Sequence, residues 1–307
     1  MNNIKIMANL LPKVNLLRKV AVKLSGNQLY NDLYYAWIRN VIMKNIDVNP
    51  VNYTESLEGK KQDSWKIWVM WWQGESAAPN IVKANIMRLR QIFGKENVVL
   101  ITEFNYQRYV NLTPEIQNKF SHGVISLTHL SDIIRFNLLN SHGGLWVDAT
   151  VAVSENYKLP RNKGFLTLVP VGDGYASFIG HGMWTGWFIG GNKGGALFQY
   201  MVDFFNEYWE KNDVLFDYYL VDDAISVFAE VRSDFQAIQK DLAYDGDYYY
   251  LINKLTYETG THEYVERWRE DERYMIQKLT YKISVKPLMK ERTLLYLLEQ
   301  TDNVETS

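Results

Sequence analysis

The run from Ser131 to Thr150, SDIIRFNLLNSHGGLWVDAT, constrains the fold more than any other part of the chain. Upstream and within it, Leu127, Leu130, Ile134 and Leu138 recur at helical spacing and form one apolar stripe. Asp132 and Arg135 stand three residues apart, so on that helix their side chains are neighbours. Gly143-Gly144 ends the helix, because glycine takes the left-handed backbone that a helix C-terminus needs. Leu145-Trp146-Val147 then reads as a short buried strand with Asp148 at its carboxyl end. In open α/β sheets ligands bind in the crevice outside the carboxyl ends of strands, so an acid, a base and a strand-end acid this close together mark a ligand site.

The flanking pattern extends this to an α/β sheet. Trp65 to Trp72 reads as a buried strand, Pro79 opens a helix that ends near Phe93 with Gly94 as its cap, and Val98 to Ile101 is a fully apolar strand of the parallel type. Short helical pieces at Asn105–Val110 and Pro114–Phe120 lead into the central helix, giving a β-α-β-α order. Further on, strands are expected at Phe165–Val169 and Trp184–Ile189. Helices are expected at Ala196–Trp209, Tyr218–Val231 and Leu294–Leu298, with a frayed end over the last seven residues. With 307 residues and 47% hydrophobic content, the chain can bury a proper core.

Residues 1–60 form a helical extension and linker, and 61–307 the main domain with a C-terminal helical segment. The first 31 residues carry Lys5, Lys13, Arg18, Lys19 and Lys23 and no acid, interleaved with Leu10, Leu11, Val14, Leu17 and Val20. Two readings stand: a basic amphipathic helix in peripheral contact with an anionic membrane, or a helix packed on the main domain. Pro12, expected to interrupt the pattern, favours the second. A second helix is expected at Tyr30–Lys44, and the polar run Asn45–Ser64 reads as a linker or long loop.

Several function classes are excluded or disfavoured. The chain has no cysteine, which rules out disulfides and thiolate zinc sites and suits a reducing cytoplasm. A net charge of −2 gives no reason to expect nucleic acid as a partner. No stretch has the apolar length of a membrane span, and the start lacks the pattern of a signal peptide. The glycine-rich Gly190–Gly195 fails the phosphate-loop pattern and reads as a flexible turn, and the five histidines are scattered, with no zinc-binding pair among them.

The candidate site residues each have a plainer reading. Asp132 and Arg135 alone would be an intrahelical pair worth about 0.3–0.5 kcal/mol; beside Gly143-Gly144 and Asp148 they gain a functional one. A carboxylate ending a buried strand, as Asp148 does, is costly unless it meets a cation, donors or water. Trp71, Trp72 and Gln73 close the first strand, and alternation lets only one tryptophan face the crevice. Asp222 and Asp223 lie on a helix, where the alternative is a surface acid. His181 and Trp184 stand shortly before the glycine-rich turn and could contact a ligand there.

The pattern S-D-x-x-R, then leucines, then G-G-aromatic-x-D resembles that of GT-A-fold glycosyltransferases, most nearly the capsular polysaccharide synthesis proteins related to glycosyltransferase family 32. Trp71-Trp72-Gln73-Gly74-Glu75, the Pro79 helix start, Asn105-Tyr106, the Asp217 to Asp222 run and Lys278-Leu279-Thr280-Tyr281-Lys282 share in the resemblance. It implies a GT-A-type, Rossmann-like domain with a mixed central sheet. It also implies a donor site drawn from Trp71, Trp72, Gln73, Asp132, Arg135, Gly143, Gly144, Asp148, Lys278 and Lys282. Asp132, Arg135 and Asp222 would serve the reaction, and Mn²⁺ or Mg²⁺ would sit at Asp148 and Thr150. Thr150 departs from the family's Asp-x-Asp motif, and a neutral hydroxyl holds such a cation more weakly than a carboxylate does. The activity implied is transfer of a hexose, with retention of configuration, from a UDP-sugar donor to a lipid-linked oligosaccharide acceptor. The place implied is the cytoplasm, at the inner face of the membrane. Two rivals are a sugar-phosphate or nucleotidyl transferase and a degenerate module that binds a saccharide or a partner without catalysis.

Overall fold

A computed structural model describes residues 3–54, 65–160, 164–170, 178–241, 246–283 and 291–300. In chain order the elements are α1 (Asn3–Ser25), α2 (Leu29–Asn45), β1 (Ile67–Met70), α3 (Asn80–Phe93), β2 (Val98–Ile101), α4 (Pro114–Ser121), α5 (Leu127–His142) and β3 (Gly144–Val147). Then follow β4 (Val151–Val153), β5 (Phe165–Thr167), β6 (Phe188–Gly191), α6 (Ala196–Lys211), α7 (Leu220–Val231), α8 (Ser233–Asp241), α9 (Thr261–Glu270), β7 (Ile276–Lys278) and α10 (Leu294–Glu299).

Five strands form a mixed sheet in the order β2-β1-β3-β6-β5. β1 runs parallel to both β2 and β3, with Ile67 opposite Leu145 and Trp68 opposite Trp146. β6 is antiparallel to β3 and to β5. All four residues of β1, β3 and β6 are buried, as expected of strands covered by helices on both faces. α5 starts at a Ser126 cap, whose Oγ accepts from the His129 N–H at 3.2 Å, and ends at Gly143 with φ 67°.

The largest departure from the sequence reading is at Gly190-Gly191. These residues are not a turn but the end of β6, opposite Leu145 and Gly144. A Cβ on Gly190 would collide with the Gly144 carbonyl, and one on Gly144 with the Lys66 carbonyl. Close backbone approach, not turn formation, sets these glycines. The strand expected at Trp184–Ile189 therefore begins only at Phe188, and Trp184–Trp187 form the loop before it. Likewise β1 stops at Met70, leaving Trp71 and Trp72 just beyond its carboxyl end, where the Trp71 N–H still donates to Ile101 O at 3.0 Å.

A second, two-stranded antiparallel sheet pairs β4 with β7, Val151 opposite Lys278. Neither strand is anticipated by periodicity, because each has three residues and its partner lies more than a hundred residues away.

α1 runs unbroken through Pro12, against the expectation of an interruption. Its packed face spans the proline: Ile4 and Leu11 are buried on one side of it, and beyond it Arg18 donates to Asn31 Oδ1 at 2.6 Å. α2 buries Tyr34, Tyr35, Ile38, Val41 and Ile42, packs along α7, and shares the one hydrophobic core with the sheet. The expected linker lies partly, and the expected frayed terminus wholly, outside the described residues.

Candidate functional site

The site grows from the carboxyl end of β3. Asp148 follows the strand directly, and its backbone N–H donates to Trp187 O at 2.9 Å in the loop before β6. The turn after it is held from below by the buried Asn85, which donates to Ala149 O at 3.1 Å. Trp146 lies two residues before Asp148 and so on the same face; its indole N–H reaches Asp148 Oδ1 at 2.8 Å.

Two cations converge on the same carboxylate. Arg135 Nη2 lies 3.4 Å from Oδ1, and Lys278 Nζ lies 2.5 Å from Oδ2. Arg135 also donates from Nη1 to Asp132 Oδ1 at 2.8 Å and stands over the Trp146 ring, 4.9 Å from its centroid. Its guanidinium is buried, and its Nε has no hydrogen-bond partner. Lys278 arrives because β7 pairs with β4, which starts three residues after Asp148. Burial opposes ionisation of Asp148, yet Lys278 and Arg135 hold its carboxyl below the usual carboxylate range. The Asp148 side chain nevertheless keeps 28% of its surface exposed, so a ligand can reach it.

His129 Nδ1 lies 3.6 Å from Asp132 Oδ2, beyond hydrogen-bond reach. The other nitrogen of that buried imidazole accepts from Trp209 Nε1 at 3.0 Å. His129 escaped the sequence reading, although it sits three residues before Asp132 on the same face.

A crevice of about 730 Å³ adjoins this cluster across the 184–187 loop. Asp222, Asp223, Asp217, Trp184, Trp187 and Tyr249 line one side of it. The Trp184 N–H donates to Asp222 Oδ1 at 2.8 Å. Burial pushes the Asp222 carboxyl up to about 6 against the Trp184 hydrogen bond, and the charge of Asp132 adds to the rise. Asp223 is pushed well above the usual range by burial and by Asp217 and Asp222, and its Oδ2 has no hydrogen-bond partner. The opposite side of the crevice comes from the N-terminal helices, including Arg18, Lys19, Lys23, Asn31 and Tyr35. The contribution of these two helices had no signal in the sequence, because it depends on how α2 packs against α7.

Asp132, Arg135, Asp148 and Lys278 thus meet in one cluster, and Asp222 sits beside it. The other expected site residues are distributed around the rim or elsewhere. Trp71 turns toward Tyr281, with ring centroids 5.3 Å apart, while Trp72 turns away onto Tyr106 and Phe120. Gln73 is exposed in the turn that follows. Lys282 is also exposed, over its neighbour Tyr281 and not against Asp148. Gly143 and Gly144 lie at the amino end of β3, the far edge of the sheet, against Lys66 and Gly191–Lys193. Gly143 caps α5, and Gly144 lets β3 approach the Lys66 carbonyl closely. His181 stands by Tyr35 with φ 45° and does not line the crevice.

The residues present do not fit a divalent cation. Both Asp148 oxygens are engaged, one by Lys278 and the other by Trp146 and Arg135. Thr150 offers only a neutral hydroxyl, and its carbonyl accepts from Leu279 N–H at 2.9 Å. Among the described residues, no group of three His, Asp or Glu side chains could hold a metal.

The fold is a mixed α/β sheet, and the Asp132-Arg135-Asp148-Lys278 cluster lies at a strand carboxyl end, the edge at which open α/β sheets in general bind ligands. The pattern of the capsular polysaccharide synthesis protein family matches residues 18–297, and the chain belongs to that family. No curated protein and no solved structure matches the chain.

Proposed function

We propose that this protein is a nucleotide-sugar-dependent glycosyltransferase of GT-A type, related to glycosyltransferase family 32. It moves a hexose from a UDP-sugar to a lipid-linked capsular repeat unit at the inner face of the membrane. One observation carries the reading. Arg135 bridges Asp132 and Asp148 while Lys278 meets Asp148 from the other side, so two cations are aimed and fixed beside a strand-end crevice.

Such a pair suits a diphosphate. The guanidinium presents several donors in fixed geometry, the ammonium acts as a point charge, and preorganised cations stabilise the charge that develops on a leaving group. Asp148 is the counter-ion that aims them. Asp132, held by Arg135, accepts from hydroxyls of the donor sugar. Trp71, with its buried indole N–H unpaired, offers a flat face on the nucleotide side with Tyr281 and Gln73 near it. Arg135 and Lys278 carry the charge stabilisation.

In the retaining reaction the bond from the anomeric carbon to the β-phosphate oxygen breaks with its electron pair leaving on the diphosphate. The acceptor oxygen bonds to the same carbon from the same face, and its proton passes to the departing phosphate. Asp222, at the edge of the crevice, orients the acceptor hydroxyl and stabilises the positive charge on the sugar ring.

Incubation with a panel of nucleotide-sugars and lipid-linked acceptors tests this directly. Release of nucleoside diphosphate with one donor supports the reading; release of pyrophosphate instead would assign a nucleotidyl transferase, and no release with any donor would remove the enzyme reading.

A further inference from the structure

The N-terminal helix has two apolar faces, and the fold uses one of them. Projected at 100° per residue, Ile4 and Leu11 lie on the packed side of α1. Leu10, Leu17, Val20 and Leu24 fall within an arc of about 80° on the opposite side. They are exposed, Leu17 at 69% and Leu24 at 83%, and Leu16 beside them at 63%. Leu29 and Leu33 continue the exposed apolar surface onto α2 beyond the turn at Gly26. A surface with this many exposed leucines on adjoining helices marks an interaction site.

Charge identifies its occupant. Lys5, Lys13, Lys19 and Lys23 border or interrupt the leucine stripe, and α1 contains no acid. An apolar stripe whose charged neighbours are all lysines is the pattern of a helix lying in the interface of an anionic bilayer, with leucines in the acyl boundary and ammonium groups among phosphates. No described helix is long and apolar enough to cross a membrane.

We infer that the α1–α2 hairpin seats this protein on an anionic phospholipid surface and that the same hairpin sets the mouth of the crevice beside Asp222 at that surface. The link is in α1 itself. Lys19 and Lys23 lie between its two faces, so they flank the stripe and also line the crevice. An acceptor carried on a phosphate-bearing lipid would pass these lysines on its way to Asp222. This last step rests on the glycosyltransferase reading; seating on the bilayer does not.

The test uses the full chain in co-sedimentation with vesicles of equimolar phosphatidylglycerol and phosphatidylcholine, and with vesicles of phosphatidylcholine alone. Binding to the anionic vesicles at least about tenfold tighter is expected, weakening as salt is raised. The double variant Leu17→Ser/Leu24→Ser should lose about tenfold or more of that affinity, and Lys5→Glu/Lys13→Glu should lose the preference for anionic vesicles. Far-ultraviolet circular dichroism checks that both variants fold, and calorimetry with UDP checks that the donor site is intact. Equal vesicle binding by wild type and the leucine variant overturns the inference. So does a wild-type dimer in solution that the leucine variant splits, since that would give the stripe to a second copy of this chain. UDP binding that fails in every variant and in wild type, with vesicle binding intact, supports the seating and removes only the catalytic reading.

Discussion

Asp148 and Asp222 both feel the charge of Arg135 and are treated in opposite ways. Asp148 receives a lysine, an arginine and an indole N–H, and its carboxyl is held ionised. Asp222 receives one indole N–H, and burial with the nearby charge of Asp132 lifts its carboxyl to about 6. Desolvation disfavours the charged form in both places; what differs is whether a cation answers it. The first arrangement fixes two cations in place against two carboxylates. The second keeps a carboxyl that can change charge near neutral pH, which suits contact with a hydroxyl and a transient cation. On the proposed reading the donor diphosphate goes to the Asp148 cluster and the acceptor to the Asp222 crevice.

Arg135→Ala should break the contrast most severely. It leaves Asp132 and Asp148 without their shared partner, so nucleoside diphosphate release should fall by at least about a thousandfold. Stability should fall by about 3 kcal/mol, read by denaturant unfolding. Asp148→Asn is the next largest. Neutralising the counter-ion leaves Lys278 and Arg135 facing each other without an acid between them, and turnover should drop about a hundredfold or more with the far-ultraviolet spectrum unchanged.

Asp222→Asn should act on the other side, lowering kcat by roughly tenfold to a hundredfold while leaving UDP affinity alone. The pH profile sharpens this. If the ionised carboxylate serves the reaction, kcat in wild type falls as pH drops below about 6, and the Asn variant lacks that limb. The stability signs are also opposite. A raised carboxyl pKa means the folded state keeps the proton longer, so Asp222 costs stability as pH rises from about 4 through about 6. The lowered Asp148 contributes stability above its unfolded pKa, and that contribution is lost as pH falls through the folded value. The smallest expected effect is chelation. With Lys278 on Asp148, excess EDTA should change release by no more than about twofold, whereas a cation-dependent site would lose most of its activity.

The parts of this contrast were unevenly legible in the sequence. The helix of Asp132 and Arg135 and the strand ending at Asp148 could be read from period and glycine stops, because both signals are local. Trp146 could also have been found, since a residue two before Asp148 on a strand must share its face. Lys278 could not be reached by pattern, because its position depends on β7 pairing with β4 across the chain; only its place in the Lys-Leu-Thr-Tyr-Lys resemblance pointed to it. Glycine propensity misled at Gly190-Gly191, where strand packing overrules turn preference, whereas at Gly143 it marked the end of α5 correctly. The α1–α2 side of the crevice was invisible for a different reason, since it arises from packing on α7 and not from any local motif.

The division between the two acids is tested most directly by titrating UDP, in EDTA, into wild type, Lys278→Ala and Asp222→Asn. The account predicts binding by wild type and Asp222→Asn with affinities within about threefold, and loss of about tenfold or more in Lys278→Ala, the scale of one charge-assisted phosphate contact. Full affinity in Lys278→Ala with loss in Asp222→Asn would contradict it, and would move the nucleotide from the end of β3 to the crevice.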